Sequence, residues 1–355
     1  VREFVYTSQP ARIVFGAGSL RQLSSEVEAF GRDRVLILTT PGQAGLAARA
    51  REVLGPVAVG EFTGAAMHTP VEVTEQAIRV VDETGADCLV ALGGGSTTGL
   101  SKALAVRTGL PQIVVPTTYA GSEVTPVLGE TENGVKTTRS APEILPGTVI
   151  YDVELTLGLP VPVSATSGVN AMAHAVEALY APQANPVTDE LGLRVITLMC
   201  RALPGIVADS ADRSARADAL EAAWLAGICL GTVGMGLHHK LCHTLGGSFG
   251  LPHAQTHTVI LPHAMAYNAP AAPEAMRRIA AAMEADDAPT AMFDLVNKLG
   301  GPKSLAELGM AEASLPRAAE LATAAPYPNP RPVTSEGITK LLNDAWQGTR
   351  PTPTP

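Results

Sequence analysis

CLVALGGGSTTGLSKAL, residues 88–104, passes from an unbroken apolar run through three glycines into a segment of small residues with helical spacing. A short apolar run bounded by glycine reads as a strand buried on both faces, and the segment after it reads as a helix. Gly93, Gly94 and Gly95 at the join let backbone approach a ligand closely. The helix behind them offers unpaired N–H groups and the positive end of its dipole. Ser96 is read as the N-cap, its hydroxyl within reach of a phosphate. The competing reading is a tight turn without a ligand. The G-x-G-x-x-G spacing of the ordinary dinucleotide fingerprint is absent, and no acidic residue follows about twenty residues on.

The same alternation extends outward on both sides. RVLILTT (34–40), PQIVVPTT (111–118) and TVIYD (148–152) are further apolar strands, and residues 71–84 and 97–108 have helical periodicity. Strands alternating with helices indicate a parallel sheet in an α/β layer structure. VVPTTYAGSEVTP (114–126) also leaves a strand into small hydroxyl residues, Thr117, Thr118, Ser122 and Thr125. Ligands collect at the carboxyl ends of strands in such sheets, so two such loops after neighbouring strands form one crevice. RIVFGAGS (12–19) adds a glycine turn, read as the loop of a hairpin.

From about residue 155 the strand signals stop, at the prolines and glycines of DVELTLGLPVPVS. Everything beyond has helical spacing. The expected organisation is a Rossmann-like α/β nucleotide-binding domain over 1–155 and an all-α catalytic domain over 156–345. A tail over 346–355, ending in TRPTPTP, is expected to be disordered.

Composition narrows the function. A chain of 355 residues, 46% hydrophobic, supports two domains with cores of their own. The net charge of −9 and the lack of any long basic run exclude a phosphate-backbone partner. The four cysteines Cys88, Cys200, Cys229 and Cys242 lie far apart, as reduced buried thiols do. VREFVYTSQPA at the start has no apolar signal core, and AAWLAGICLGTVGMGL (222–237) is glycine-rich and short for a membrane span. A cytoplasmic protein is the expectation.

The second half concentrates its chemistry in histidine. Asn170 and His174 lie four apart on a helix and face the same way. HHKLCHTLGGSFGLPH (238–253) repeats that spacing with His239 and His243 and adds His253, read as lying in a loop. A lone histidine is usually a satisfied core or surface residue. This many converging describe a site.

FGAGS, GGGS, PTTYAGSEVTP, DVELTLGLP, N-x-x-x-H and H-x-x-x-H-(x9)-H together resemble the iron-containing alcohol dehydrogenase superfamily over about residues 1 to 345. Within it the chain is most similar to the branch that reduces maleylacetate. The resemblance implies a dehydroquinate-synthase-like fold, with a nucleotide-binding α/β domain, a helical domain and a cleft between them. It implies a homodimer as well.

For the cofactor it implies Gly93, Gly94, Gly95 and Ser96 on the pyrophosphate. Thr117, Thr118, Ser122 and Thr125 fall nearer ribose and nicotinamide, and Lys136 on a ribose. Where NAD-preferring relatives carry an Asp at the end of the second strand, this chain has Thr39-Thr40. No carboxylate repels a 2′-phosphate there and no arginine attracts one, so NADH and NADPH are both expected to serve.

In metal-dependent members an Asp and three His bind Fe²⁺ or Zn²⁺, at positions that fall here on Asn170, His174, His239 and His253, with His243 near the nicotinamide. A neutral amide is a far weaker ligand for a dication than a carboxylate. If Lys240, beside His239, faces the pocket, it opposes a cation further. The expectation is a pocket that works without a metal.

Such a pocket suits an electron-poor substrate. Reduction of the C=C bond of maleylacetate, an unsaturated keto-dicarboxylate, gives 3-oxoadipate through an enolate. Chloro-substituted analogues are expected to be accepted as well. His243 and His253 are then candidates for oxyanion stabilisation or proton delivery, with His174 and His239 lining the pocket and Tyr119 a second proton donor. Lys240 and Arg139 are candidates for the substrate carboxylates. The alternatives are a metal-dependent alcohol or polyol dehydrogenase in which Asn170 still ligates, a sugar-phosphate cyclase, and a dinucleotide-binding module without catalysis.

Overall fold

The computed structural model describes residues 3–8 and 11–352, with the backbone alone at Val135 and Lys136. Two compact units emerge, one running from Ser8 to Leu159, the other from Pro160 onward together with the described residues before Ser8. The boundary falls just past the expected residue 155. Asp152 explains the offset, because its carboxylate accepts from Glu154 N and so ties the first turn after the last strand to the sheet.

The first unit runs β1 (Arg12–Phe15), α1 (Leu23–Ala29), β2 (Val35–Leu38), α2 (Ala44–Leu54), β3 (Ala58–Phe62), α3 (Val71–Thr84), β4 (Cys88–Gly93), α4 (Gly95–Thr108) and β5 (Gln112–Pro116). It continues through β6 (Val127–Glu132) and β7 (Val135–Ser140) to β8 (Thr148–Tyr151). Six strands form a parallel sheet in the order β1-β8-β5-β4-β2-β3. Every residue of β2, β4, β5 and β8 is buried, as continuous apolar runs require.

Alternate residues supply the two faces. Val35, Ile37, Val90, Leu92, Ile113 and Val115 pack with Val27, Ala47 and Ala50 of α1 and α2. Leu36, Leu38, Leu89, Ala91 and Val114 pack with Ala77, Val81, Leu100 and Leu104 of α3 and α4.

Two local expectations are corrected, and one hairpin is added. RIVFGAGS is no hairpin, because β1 pairs in parallel with β8. Its turn is held by Asp152, whose carboxylate accepts from Gly18 N and Leu20 N. The antiparallel pair β6–β7 went unread, although Asn133 and Gly134 at its tip both adopt the left-handed backbone that a tight hairpin turn demands. The glycine turn is capped by Gly94 rather than Ser96, and α4 begins at Gly95.

The second unit consists of α5 (Val161–Ala178), α6 (Pro186–Ala208), α7 (Arg213–Thr232), α8 (Leu237–Phe249), α9 (His253–Asn268), α10 (Pro273–Ala282), α11 (Ala288–Lys298), α12 (Leu315–Thr323) and α13 (Ser335–Gln347). From Ser164 to Ala178, α5 is buried without interruption. Its polar residues Asn170, His174 and Glu177 therefore sit where water cannot satisfy them. His253 opens α9 rather than lying in a loop, with Pro252 as the N-cap.

The expected disordered tail is corrected too. Trp346 and Gln347 complete α13, Gly348 caps it in the left-handed conformation, and Arg350 pairs with Asp294 at 2.6 Å. Residues 353–355 lie outside the described part. The stretch 222–237, read as short for a span, is broken after Thr232, where α7 ends, and the described helix that resembles a span is α6. It has the length and hydropathy to cross a membrane, yet it packs against α5 and α7.

Candidate active site

At the glycine end, β4 turns at Gly93, whose φ of 147° favours glycine. A side chain at Gly93 would strike Thr97 Oγ1 and lie 2.6 Å from Gln43 Oε1. One at Gly94 would lie 3.1 Å from Thr118 Oγ1, so the loop after β5 abuts the turn. At Gly95, exposed at the start of α4, a side chain would meet nothing within 4 Å. No side chain caps α4, and Ser96 and Thr118 are half-exposed. An open cradle of backbone donors with hydroxyls around it fits a dinucleotide pyrophosphate.

The other cofactor positions divide. Thr40 is half-exposed and its Oγ1 donates to Gln43 Oε1 at 3.1 Å. Ser122 is half-exposed and Thr117 is buried. The Thr125 hydroxyl is engaged inside the protein, donating to Ser122 O at 2.9 Å and accepting from Lys102 Nζ at 3.0 Å. Lys136 lies on β7 with its side chain outside the described part. Arg139 is turned to the surface and pairs with Glu130. Tyr119 is fully buried, as a side chain packing the loop would be.

At the histidine end, three helices each repeat one spacing. α5 presents Asn170, His174 and Glu177. α8 presents His238 with Cys242, and His239 with His243, while α9 presents His253 with His257. The rings of His174 and His239 stack at 5.0 Å, His253 and His257 meet at 4.4 Å, and His243 lies 6.3 Å from His253. His174, His238, His239 and His257 are buried, whereas His243 is exposed and His253 half-exposed. The cluster thus has a dry floor and an accessible rim. Burial, then the neighbouring imidazoles, hold His174, His238 and His257 well below the ordinary histidine range, so those three rings are neutral. Lys240 is half-buried on the same helix.

Sequence reasoning missed three residues here. Glu177 accepts from His239 Nδ1 at 2.6 Å, from His238 N at 2.8 Å and from Gly236 N at 3.0 Å. One carboxylate therefore caps the N-terminus of α8 from another helix and keeps the His239 proton on Nδ1, leaving Nε2 with its lone pair outward. His238 Nε2 lies 2.9 Å from His257 Nδ1, with Cys242 Sγ 3.7 Å behind. The signal for Glu177 was its isolation, as no other charged residue occurs in α5.

A metal can be tested against these atoms. Among the described residues, Asn170 Oδ1, His174 Nδ1 and His239 Nε2 are buried without a hydrogen-bond partner. Those are donor atoms a dication uses. They are neutral donors, and the nearby carboxylate, Glu177, is already engaged by three N–H groups.

Residues 10–153 match the family profile "Iron-containing alcohol dehydrogenase", and residues 164–346 match "Fe-containing alcohol dehydrogenase family, C-terminal". Maleylacetate reductase 1 of Rhodococcus opacus is 56% identical over 349 residues, 98% of each chain. The crystal structure of maleylacetate reductase from Agrobacterium tumefaciens superposes with a TM-score of 0.95 at 55% identity, covering 99% of this chain and 100% of that one. An iron-containing alcohol dehydrogenase from Corynebacterium glutamicum superposes at 0.94 with 41% identity, over 99% of both chains. The chain belongs to the iron-containing alcohol dehydrogenase family.

Proposed function

With that membership as the premise, we propose that the chain reduces the C=C bond of maleylacetate to 3-oxoadipate with NADH or NADPH, and that it does so without a metal. The observation that carries the metal-free part is the neutrality of the donor set. Asn170, a neutral amide, stands one helical turn from His174, whose ring burial keeps uncharged, and Glu177, the carboxylate on the same helix, is engaged by three N–H groups. The family resemblance supports a homodimer, and the scattered cysteines support a cytoplasmic setting.

When bound, the reduced nicotinamide supplies hydride to the alkene carbon β to the ketone. The chain's own residues then manage the charge and the proton. The electron pair displaced from the alkene moves toward the carbonyl as an enolate, and the rim imidazoles His243 and His253 donate hydrogen bonds to that oxygen. Protonation of the adjacent carbon completes 3-oxoadipate, with one of the rim imidazoles as donor. His174 and His239 line the floor, Asn170 offers an amide, and Lys240 receives a substrate carboxylate. Where the carbon that accepts hydride bears chlorine, the enolate's electron pair can instead re-form the C=C bond as chloride leaves, giving maleylacetate, which a second reduced nicotinamide would take to 3-oxoadipate. Chloromaleylacetates thus fall within the same chemistry.

A second reading has a specific observation behind it. The unpartnered Asn170 Oδ1 and His239 Nε2 are what a weak Fe²⁺ or Zn²⁺ site would display, with His174 and His253 completing it. A metal there would polarise a carbonyl. The experiment follows NADH absorbance with maleylacetate and with simple aldehydes, before and after exhaustive chelation, beside metal analysis of the same preparation. Rapid maleylacetate-dependent oxidation that survives chelation at negligible metal content is the expected result. Stoichiometric metal whose removal stops turnover, or preference for aldehydes, overturns the proposal.

A further inference from the structure

Lys102 is 1% exposed, a buried cation that none of the chemistry above uses. Its ammonium donates to Ser122 O, to Val127 O at 2.9 Å and to Thr125 Oγ1 at 3.0 Å. All three acceptors belong to the segment that follows β5, whereas Lys102 belongs to α4, whose first residue is Gly95 at the glycine turn. The separation from Gly95 to Lys102 is two helical turns, about 10 Å of rise, on one face of the helix. One helix therefore carries the pyrophosphate cradle at its tip and grips the neighbouring loop further down.

We infer that Lys102 is a positioning residue for the nicotinamide half of the cofactor, locking the loop over residues 117–127 against the glycine turn before the dinucleotide arrives. The inference rests on the assignment of the glycine turn to the pyrophosphate and of this loop to ribose and nicotinamide.

The physical case has three parts. Val127 O bonds to Lys102, and a buried carbonyl that loses its donor is costly, while Ser122 O, which also accepts from Thr125 N and Oγ1, gains a charged donor from the helix. The loop fixed in this way lays Thr118 beside Gly94, with Oγ1 3.1 Å from where a Cβ would stand. Glu123, in the same loop, is buried with its Oε1 accepting from Tyr151 Oη at 2.9 Å. Burial pushes the Lys102 ammonium down to about 7 and the Glu123 carboxyl up to about 7, and the attraction between the two groups opposes both shifts. α4 and β8 thus hold the loop from two sides. A loop ordered during folding imposes no ordering cost when the ligand binds.

The experiment compares NADH with ADP on the full-length chain, without substrate, by calorimetry and nicotinamide fluorescence. ADP reaches only the glycine turn, whereas NADH needs the loop as well. Lys102→Met is expected to weaken NADH about tenfold or more, the scale of one lost charge-assisted hydrogen bond, while ADP stays within about twofold. Thr125→Val, which removes one acceptor and leaves the ammonium in place, is expected to weaken NADH about threefold and ADP not at all. If Lys102→Met does not fold, the Thr125→Val comparison decides by the same criterion. Equal losses for both ligands mean general damage and overturn the inference, as does no loss for either. A wild-type chain that binds neither ligand removes the nucleotide assignment itself, and this inference with it.

Discussion

Glu177→Gln separates an organising carboxylate from a bystander. The wild-type side chain is 1% exposed and accepts three hydrogen bonds, Oε1 taking His238 N while Oε2 takes Gly236 N and His239 Nδ1. Glutamine has nearly the same shape but only one acceptor oxygen. Placed where Oε2 lies, that oxygen keeps two of the bonds and turns an NH₂ group against the His238 N–H. Placed where Oε1 lies, it keeps one and turns NH₂ toward His239, which must then move its proton to Nε2. Either way at least one buried N–H loses its partner and the remaining bonds lose their charge assistance, a cost of about 2–4 kcal/mol.

Catalysis should suffer separately, because the direction in which His239 offers its lone pair is no longer fixed. A loss of about ten- to hundredfold in kcat/KM is the scale for removing such a support. Urea unfolding gives the first number and NADH oxidation with maleylacetate the second. A variant that unfolds at the wild-type urea midpoint and turns over normally would refute the reasoning. Metal analysis of the same variant adds a discriminator, since a fall in bound metal would be expected only under the metal-dependent reading.

Other expectations concern separate atoms. Asn170→Asp supplies the missing anionic ligand, so bound Fe²⁺ or Zn²⁺ should rise toward stoichiometry by elemental analysis while maleylacetate turnover falls. Gly93→Ala places a methyl group against Thr97 and Gln43 at a φ of 147° and should cost about 1–3 kcal/mol in urea unfolding. Gly95→Ala meets no protein atom and should leave stability unchanged while weakening NADH, measured by fluorescence titration.

His263, pulled down to about 4 by burial, stabilises the fold as a neutral ring. Its contribution is fully present above pH 6.5 and lost as pH falls through about 4, worth about 3 kcal/mol. The fall in stability between pH 7 and pH 4.5 should therefore be smaller by about 2 kcal/mol in His263→Gln than in wild type, by urea midpoints at the two pH values.

The parallel sheet was readable because burial on both faces demands unbroken apolar runs, and β2, β4, β5 and β8 have nothing else. β3 was not, since AVGEF mixes a glycine and a glutamate into an edge strand that is only partly covered. Asn133-Gly134 is a strong hairpin signal, but its flanks, GETE and VKTT, lack the apolar alternation that would have drawn attention to it. Among the site residues, Asn170 with His174 and His239 with His243 could be marked from i, i+4 spacing and His253 from its nearness in the chain, and the structure brings the rings of His174, His239, His243 and His253 together. The placement of His253 in a loop failed because Gly250 and Pro252 end one helix and begin the next with almost no chain between them.

The residues that escaped sequence reading share a property. Glu177, His238, His257 and Lys102 act on other parts of the protein, and their partners are 62, 19, 19 and 20 residues away in the chain. Spacing rules see one helix at a time, so a carboxylate on α5 that fixes a tautomer on α8 leaves no periodic trace. What it does leave is a charge where none can be solvated. Glu177 is the one charged residue of a helix buried from Ser164 onward, and Lys102 is followed by the buried residues Ala103, Leu104 and Ala105. An ion in such a setting has to be paired or hydrogen-bonded, or the chain would not fold around it. Isolated charges in apolar helices are therefore the places to look for the supports of a site whose reacting groups the spacing has already exposed.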